Sequence, residues 1–484
     1  AGEVVARHRR HFLAVARRGE GARGADLSTW LDRCEEDYPN LRLALRRALA
    51  ATPGDGAALA EGLALLVALA PLWEVRGYGV EGRELAEAWL RRAADAPVAP
   101  DLRGAALTLA GTLALRQGDL AAAEERLREA VALARAAGRR GTLAAALCRL
   151  GELRRYRGQL AEALACLRES LALARALDAP AAVADALIAL GVVATSSARP
   201  EEAVAYFAEA IALCRARDDR PTLARALASS SAVAGDAGDL ARAMALDAEA
   251  LALFRQLGHR RGAAVALGNL GHGHMTLGDY PRAEAELTEA LAMRRRLHDL
   301  AGIAQVSLLL ATLANRRQNP DGAETWFREG LAAARAADDR RLVATGLDGL
   351  ASVLRQRGDL PAARALHAEG LRDIRATGIY RRVAGRLEGA ALTEAAAGDW
   401  ERAAWLCGAA DAERERHGQR RDAGGFQATV LAAIAGARAR LGEAAFAAAW
   451  ADGARLAPAD AIARALQEYA ALGLPAPAAD DHPA

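Results

Sequence analysis

Leu270-Gly271, then Gly278-Asp279-Tyr280, then Ala283, Leu287 and Ala290: the spacing within this stretch decides the fold, because the pattern returns along most of the chain. Turn-like triplets stand at Gly118-Asp119-Leu120, Gly158-Gln159-Leu160, Ala198-Arg199-Pro200, Gly238-Asp239-Leu240, Gly278-Asp279-Tyr280, Gln318-Asn319-Pro320, Gly358-Asp359-Leu360 and Gly398-Asp399-Trp400, each forty residues after the one before. Five residues after the start of each comes an alanine, from Ala123 and Ala163 through Ala283 to Ala403. Self-similarity at such a period marks stacked repeats, in which each unit buries its apolar face only against its neighbours.

Each unit reads as a helical hairpin, with apolar-periodic stretches such as Ala144 to Arg157 before the triplet and Ala161 to Arg175 after it. Gly or Asn in the triplet ends the first helix, since those residues take a left-handed turn cheaply. Pro200, Pro281, Pro320 and Pro361 fall at the start of the second helix, where an N–H is not needed. The fixed alanine reads as a close helix crossing. Four units also place a glycine seven residues before the triplet, at Gly111, Gly151, Gly191 and Gly271.

These residues resemble the tetratricopeptide repeat. Gly271, Gly278, Ala283, Leu287 and Ala290 follow its pattern, whereas Ser231, Asp247, His367 and Gly370 depart from it in their own repeats. The usual repeat has about 34 residues, so a period of forty implies longer helices or turns. The resemblance implies an all-α fold: a right-handed α-solenoid of about nine helical hairpins with helical caps.

Composition agrees with that class. Of the 484 residues 52% are hydrophobic, mostly Ala and Leu, and only 4% are aromatic, so packing rests on small and aliphatic side chains. No lysine occurs, so all 63 basic residues are arginine, which excludes a lysine Schiff base and a P-loop lysine. A net charge of +2 gives no general attraction to nucleic acid or an anionic membrane. Cys34, Cys148, Cys166, Cys214 and Cys407 are scattered and odd in number, which points to a reducing, cytoplasmic setting. Gly62 to Trp73 is the longest strongly apolar run, too short to span a bilayer.

In order, residues 1–56 form an N-terminal helical lead-in, with helices over Val4 to Arg18 and Trp30 to Ala50, the second capped by Asp26 or Ser28, and a loop at Thr52 to Gly56. Residues 57–101 read as a degenerate first repeat with its turn at Gly77-Tyr78-Gly79 and Gly82 in place of the alanine. Eight regular repeats fill 102–416. A C-terminal helical cap spans 417–474, with helices over Phe426 to Leu441, Glu443 to Ala451 and Pro458 to Leu472, and 475–484 form a disordered tail.

Trp30-Leu31-Asp32-Arg33, Trp73-Glu74-Val75-Arg76-Gly77 and Glu81-Gly82-Arg83 near the start, with Cys407-Gly408-Ala409-Ala410 and Trp450-Ala451-Asp452-Gly453 near the end, are similar to one family's repeat region. That family is the predicted-ATPase (STAND-type) regulators of bacteria, related to the AfsR and LuxR/MalT-type transcriptional regulators. The resemblance implies an upstream nucleotide-binding switch domain. No G-x-x-x-x-G-K-[ST] stands in the chain, and with no Met at its start it reads as the sensor arm of a longer polypeptide.

Enzyme chemistry finds little support. In Gly271-His272-Gly273-His274-Met275, histidines two apart on a helix diverge, with no third metal ligand nearby. Cys148 and Cys166 read as packing thiols, and Ser229-Ser230-Ser231 as a close helix contact with no base beside it. The glycine-arginine turns Gly138 to Gly141 and Gly258 to Gly262 read as inter-repeat turns, not phosphate loops.

What remains is a recognition surface without cofactor or metal. First helices line the concave face of a helical solenoid, which places Arg149, Glu152, Arg155, Asn269, His272, Thr312, Asn315, Arg316, Asp348, Ser352 and Arg355 there. Arg316 and Arg355 are suited to gripping an anion by forked hydrogen bonds. The expected function is a non-catalytic sensor arm of a signal-dependent bacterial transcriptional regulator, binding a partner protein, a peptide or a small-molecule inducer in the groove. The alternative is a freestanding adaptor for protein–protein contacts. Neither reading has direct contact with nucleic acid or membrane.

Overall fold

Ala and Leu at helical spacing, interrupted every twenty residues by a turn, leave the backbone one regular option. The computed structural model describes residues 2–19, 22, 24–50, 56–94, 96–377, 383–417 and 425–473. Among these the regular structure is entirely helical, in 25 helices. The lead-in and first repeat contain α1 (Gly2–Arg17), α2 (Gly24–Glu36), α3 (Tyr38–Leu49), α4 (Gly56–Ala68), α5 (Ala70–Val75) and α6 (Gly79–Arg92). The regular array runs through α7 (Pro100–Arg116), α8 (Leu120–Ala136), α9 (Arg140–Tyr156), α10 (Leu160–Ala176), α11 (Pro180–Ser196), α12 (Pro200–Ala216), α13 (Arg220–Asp236) and α14 (Leu240–Gln256). It continues through α15 (Arg260–Thr276), α16 (Tyr280–Arg296), α17 (Leu300–Arg316), α18 (Pro320–Ala336), α19 (Arg340–Gln356), α20 (Leu360–Thr377), α21 (Val383–Ala397) and α22 (Trp400–Arg416). The last three helices are α23 (Gly425–Leu441), α24 (Glu443–Ala454) and α25 (Pro458–Ala471).

The forty-residue period divides in two. From α7 to α19 each helix starts twenty residues after the last, and the turns within and between hairpins share one geometry. At the end of α7 the Gly118 N–H donates to Leu115 O and the Asp119 N–H to Ala114 O, which closes the helix on a left-handed Gly118. Asp119 then caps α8, its carboxylate accepting from the Ala122 N–H at 3.0 Å. Asp219, Asp239, Asp279, Asp299, Asp339 and Asp399 do the same. The longer repeat therefore lies in longer helices, 17 residues each.

Glycine is less necessary to these turns than the sequence implies. Ala198, Gln318, Asp178, Asp218, His298 and Asp338 all take positive φ. Asn319 is not the left-handed residue of its turn; it is the cap of α18, accepting from the Gly322 N–H. His259 caps α15 in the same way, its Nδ1 accepting from the Gly262 N–H at 2.8 Å, so Gly258 to Gly262 is a helix start.

The fixed alanines are buried, and Gly111, Gly151 and Gly191 lie under Leu127, Leu167 and Phe207; a Cβ on Gly151 would come within 2.6 Å of Leu167. Successive first helices touch one another (α7, α9, α11 and α13; α17, α19 and α21) and so form the inner layer of the stack.

The chain forms two compact units, residues 1–273 and 274–484. In the first unit, the helix expected over Trp30 to Ala50 is two: Asp37 separates α2 from α3, whose first turn holds Pro39 and cannot continue a helix entering from upstream. Neither Asp26 nor Ser28 is a cap, since α2 starts at Gly24; the Ser28 hydroxyl donates to Gln256 O. That bond belongs to a closure in which Leu257 joins the N-terminal core and Gly258 lies on Arg76. Gly82 faces the Trp73 ring, which a Cβ there would meet.

In the second unit, α23, α24 and α25 cover the end of the array. Backbones cross closely where Gly408 faces Trp450 O and Gly453 faces Trp405 O; a Cβ on either glycine would collide. Buried Glu388 and Glu394 are gripped by Arg414 and by Arg364 with Arg402. Residues 52–55 of the expected loop and the expected tail at 475–484 lie outside the described residues, and Gly56 already belongs to α4. No helix among the described residues is long and apolar enough to cross a membrane.

Candidate functional site

A cavity of about 400 Å³ opens in the second unit on α19, α20 and α21, with Phe426 of α23 at its edge. Its α19 wall carries Thr345, Asp348, Ser352 and Arg355, which recur at three- and four-residue steps and so share one helix face. The α21 wall is Ala384, Gly385, Arg386, Gly389 and Leu392, and the small residues leave the space open: a Cβ on Gly385 would meet nothing within 4 Å. His367 of α20 is the floor.

Two arginines of the cavity differ in their partners. Arg386, nearly buried, bonds Asp348 Oδ1 at 2.6 Å and Ala344 O at 2.8 Å. It fits because residue 370 is glycine; a Cβ there would lie 2.6 Å from its guanidinium. Arg355 reaches only Ser352 Oγ, at 3.4 Å, and no carboxylate among the described residues. Burial with no compensating anion lowers its pKa. His367 Nε2 meets Thr393 Oγ1 at 3.0 Å while Nδ1 has no partner. Burial, then Arg386 and Arg355, push its pKa down to about 3, so the ring is neutral.

The inner face of the first unit is arranged otherwise. Arg149 bonds Glu152 at 2.8 Å and Asp185 at 3.2 Å, Asp185 also holds Arg225 at 2.9 Å, and Arg116 pairs with Glu74 at 2.8 Å. The expected groove residues Arg149 and Glu152 thus face each other. Arg155 lies over the Tyr156 ring at 4.1 Å, and His272 is exposed. Asn269 donates to buried Asp247 at 3.1 Å.

Asp247 also accepts from Ser231 Oγ at 2.8 Å. The serine run therefore does have a carboxylate beside it, contrary to the sequence reading, but Ser231 and Asp247 are both 3% exposed and no substrate reaches them. In the second unit Thr312 bonds back to Leu308 O, Arg316 donates to Met275 O, and Asn315 is half-buried. Of the residues expected to bind, Asp348, Ser352 and Arg355 share one cavity.

Models of the tetratricopeptide repeat match residues 142–216, 263–300 and 302–376. The chain carries tetratricopeptide repeats. A model of anaphase-promoting complex subunit 5 matches residues 99–157. Among solved structures, BtubC (BKLC) from P. vanneervenii is 23% identical over 46% of this chain and 92% of its own, with a TM-score of 0.39. A Rap protein complexed with competence and sporulation factor is 14% identical over 74% and 99%, TM-score 0.48. A signal transduction ATPase with numerous domains (STAND) with a tetratricopeptide repeat sensor, from Pyrococcus horikoshii, is 14% identical over 67% of this chain and 50% of its own, TM-score 0.46. No curated protein sequence matches the chain.

The four departures from the tetratricopeptide pattern now have causes. Asp247 and His367 stand four residues after the fixed alanine, where Leu127, Leu167 and Leu287 fill the core. Ser231 answers Asp247, and Gly370 admits Arg386 beside His367. Sequence reasoning missed His367, Arg386, Gly385 and Gly389 as one site. Its usable signal was polar or missing side chains at core positions of the repeat.

Cys34, Cys148 and Cys214 are free, and burial pushes their thiols up to about 12, which makes them poor nucleophiles. No group of three metal-ligating side chains occurs among the described residues.

Proposed function

We propose that this chain is a non-catalytic recognition arm of a signal-dependent regulator, and that it reads its signal in the cavity between α19 and α21. The observation that carries this reading is an arginine, Arg355, held half-buried on a cavity wall with no carboxylate bonded to it among the described residues. Leaving a desolvated guanidinium unpaired costs stability, and that cost is offset when a ligand supplies the anion. The cavity volume lies at the lower end of the range of small-molecule sites, about 300–1,000 Å³. Three helices from two successive repeats line it, so a ligand there favours one packing of those repeats over another, and differential binding of that kind is what a sensor needs. The switch domain that the family resemblance implies upstream is the element such a change would act on.

Native mass spectrometry of the chain isolated gently from its own host tests the proposal. The expected result is a bound species of fixed mass that is lost on Arg355→Met and on Gly385→Leu. A species retained by both variants places recognition elsewhere and defeats the reading.

A further inference from the structure

Resting on that reading, we infer that the cavity takes a carboxylate on a short apolar stem: the carboxylate against Arg355, the stem against Leu392, Ala384 and Phe426. The charges of the walls set the class. Among the described residues Asp348 pairs with Arg386 at 2.6 Å, the His367 ring is uncharged, and Arg355 meets no carboxylate. A single negative charge balances it, whereas a phosphate dianion leaves the cavity with a net negative charge among partly desolvated groups.

A planar carboxylate suits a guanidinium fork that has only a long contact to a serine hydroxyl. The rest of the wall offers an apolar surface: Leu392 is buried, Phe426 is half-exposed, and Gly385 and Gly389 bare the helix backbone on one face, four residues apart. A free organic acid and the C-terminus of a peptide share this chemistry.

Gly385→Leu provides a block independent of charge, because Gly385 lines the cavity and a Cβ there would meet nothing within 4 Å. Titration calorimetry on the whole chain would use hexanoate and phenylacetate, each beside its neutral amide, then inorganic phosphate, then a short peptide ending in phenylalanine with a free or an amidated C-terminus. The acids are expected to bind and the amides and phosphate not to. Arg355→Met should weaken the acids by about ten- to a hundredfold, the loss of one charge-assisted contact, and Gly385→Leu should abolish binding. Tight binding of the free-ended peptide over the free acids identifies a peptide terminus as the source; the reverse identifies a small acid.

Equal binding of acids and amides, or acid binding untouched by Arg355→Met, overturns the carboxylate assignment. If Gly385→Leu still removes a co-purifying ligand, the proposed recognition role survives that failure. If no probe binds and Gly385→Leu changes nothing, both fall.

Discussion

The polar groups on the inner face of the first unit are closed on one another, and those around the cavity of the second are left open. Asp247 and His367 hold the same place in their repeats, yet Asp247 has both oxygens answered by Ser231 and Asn269 while His367 keeps Nδ1 without a partner at the floor of a cavity. The arginines repeat the contrast. Arg149, Arg225 and Arg116 of the first unit each meet a carboxylate, and Arg355 of the second meets none among the described residues. A regular scaffold tolerates polar residues at core positions, and whether such a position becomes a binding site depends on whether the neighbours satisfy it.

The largest test of this contrast is in pH. Burial raises the Asp247 pKa from 3.8 to about 6, so the folded chain holds a proton the unfolded chain has lost. Stability from this group is full below pH 4 and falls as pH rises through 6, by about 3 kcal/mol in all, and Asp247→Asn should remove that slope in denaturation measured against pH. His367 works in the opposite direction. Its pKa falls from 6.5 to about 3, so stability is full above 6.5 and drops as pH is lowered through the range where only the unfolded ring is protonated, by about 3 kcal/mol at pH 4. His367→Leu should abolish that acid loss. Slopes of the same sign for both residues would break the comparison.

Restoring the repeat pattern sharpens it. Ser231→Gly with Asp247→Leu recreates the pair seen at Gly151 and Leu167, and at pH 7 should raise stability by about 1–3 kcal/mol, through apolar burial and removal of a desolvated carboxylate. A melting temperature below that of the parent would show that the closed cluster stabilises the fold.

Next in size is Asp185→Ala, which strips Arg225 of its carboxylate and one of the two from Arg149. These groups are partly exposed, so the expected loss in urea denaturation is about 1–2 kcal/mol. Arg355→Met is the smallest. With no carboxylate to lose, it should leave the unliganded chain within about 0.5 kcal/mol of the parent or slightly stabilised. A cost equal to that of Asp185→Ala would mean that Arg355 is structurally engaged after all.

Much of the fold could be read from the chain. Period forty, the fixed alanines and the aspartates of the triplets fix where helices start and cross, because capping and close contact are local or nearest-neighbour effects. Less of the site could be read. Arg149, Asp348 and Arg355 sit alike on first helices, and nothing in their spacing tells which arginine finds a carboxylate.

Sequence by itself determined an all-α stack of hairpins, its register, and the four positions where the register carries the wrong residue. Only the tertiary structure decided what those residues do. Ser231 meets Asp247 across 16 residues within one hairpin and Arg386 meets Asp348 across 38 between repeats, and such contacts depend on how the helices are set against each other. Partner satisfaction is a property of three-dimensional neighbours, and it is what separates a closed polar core from an open site.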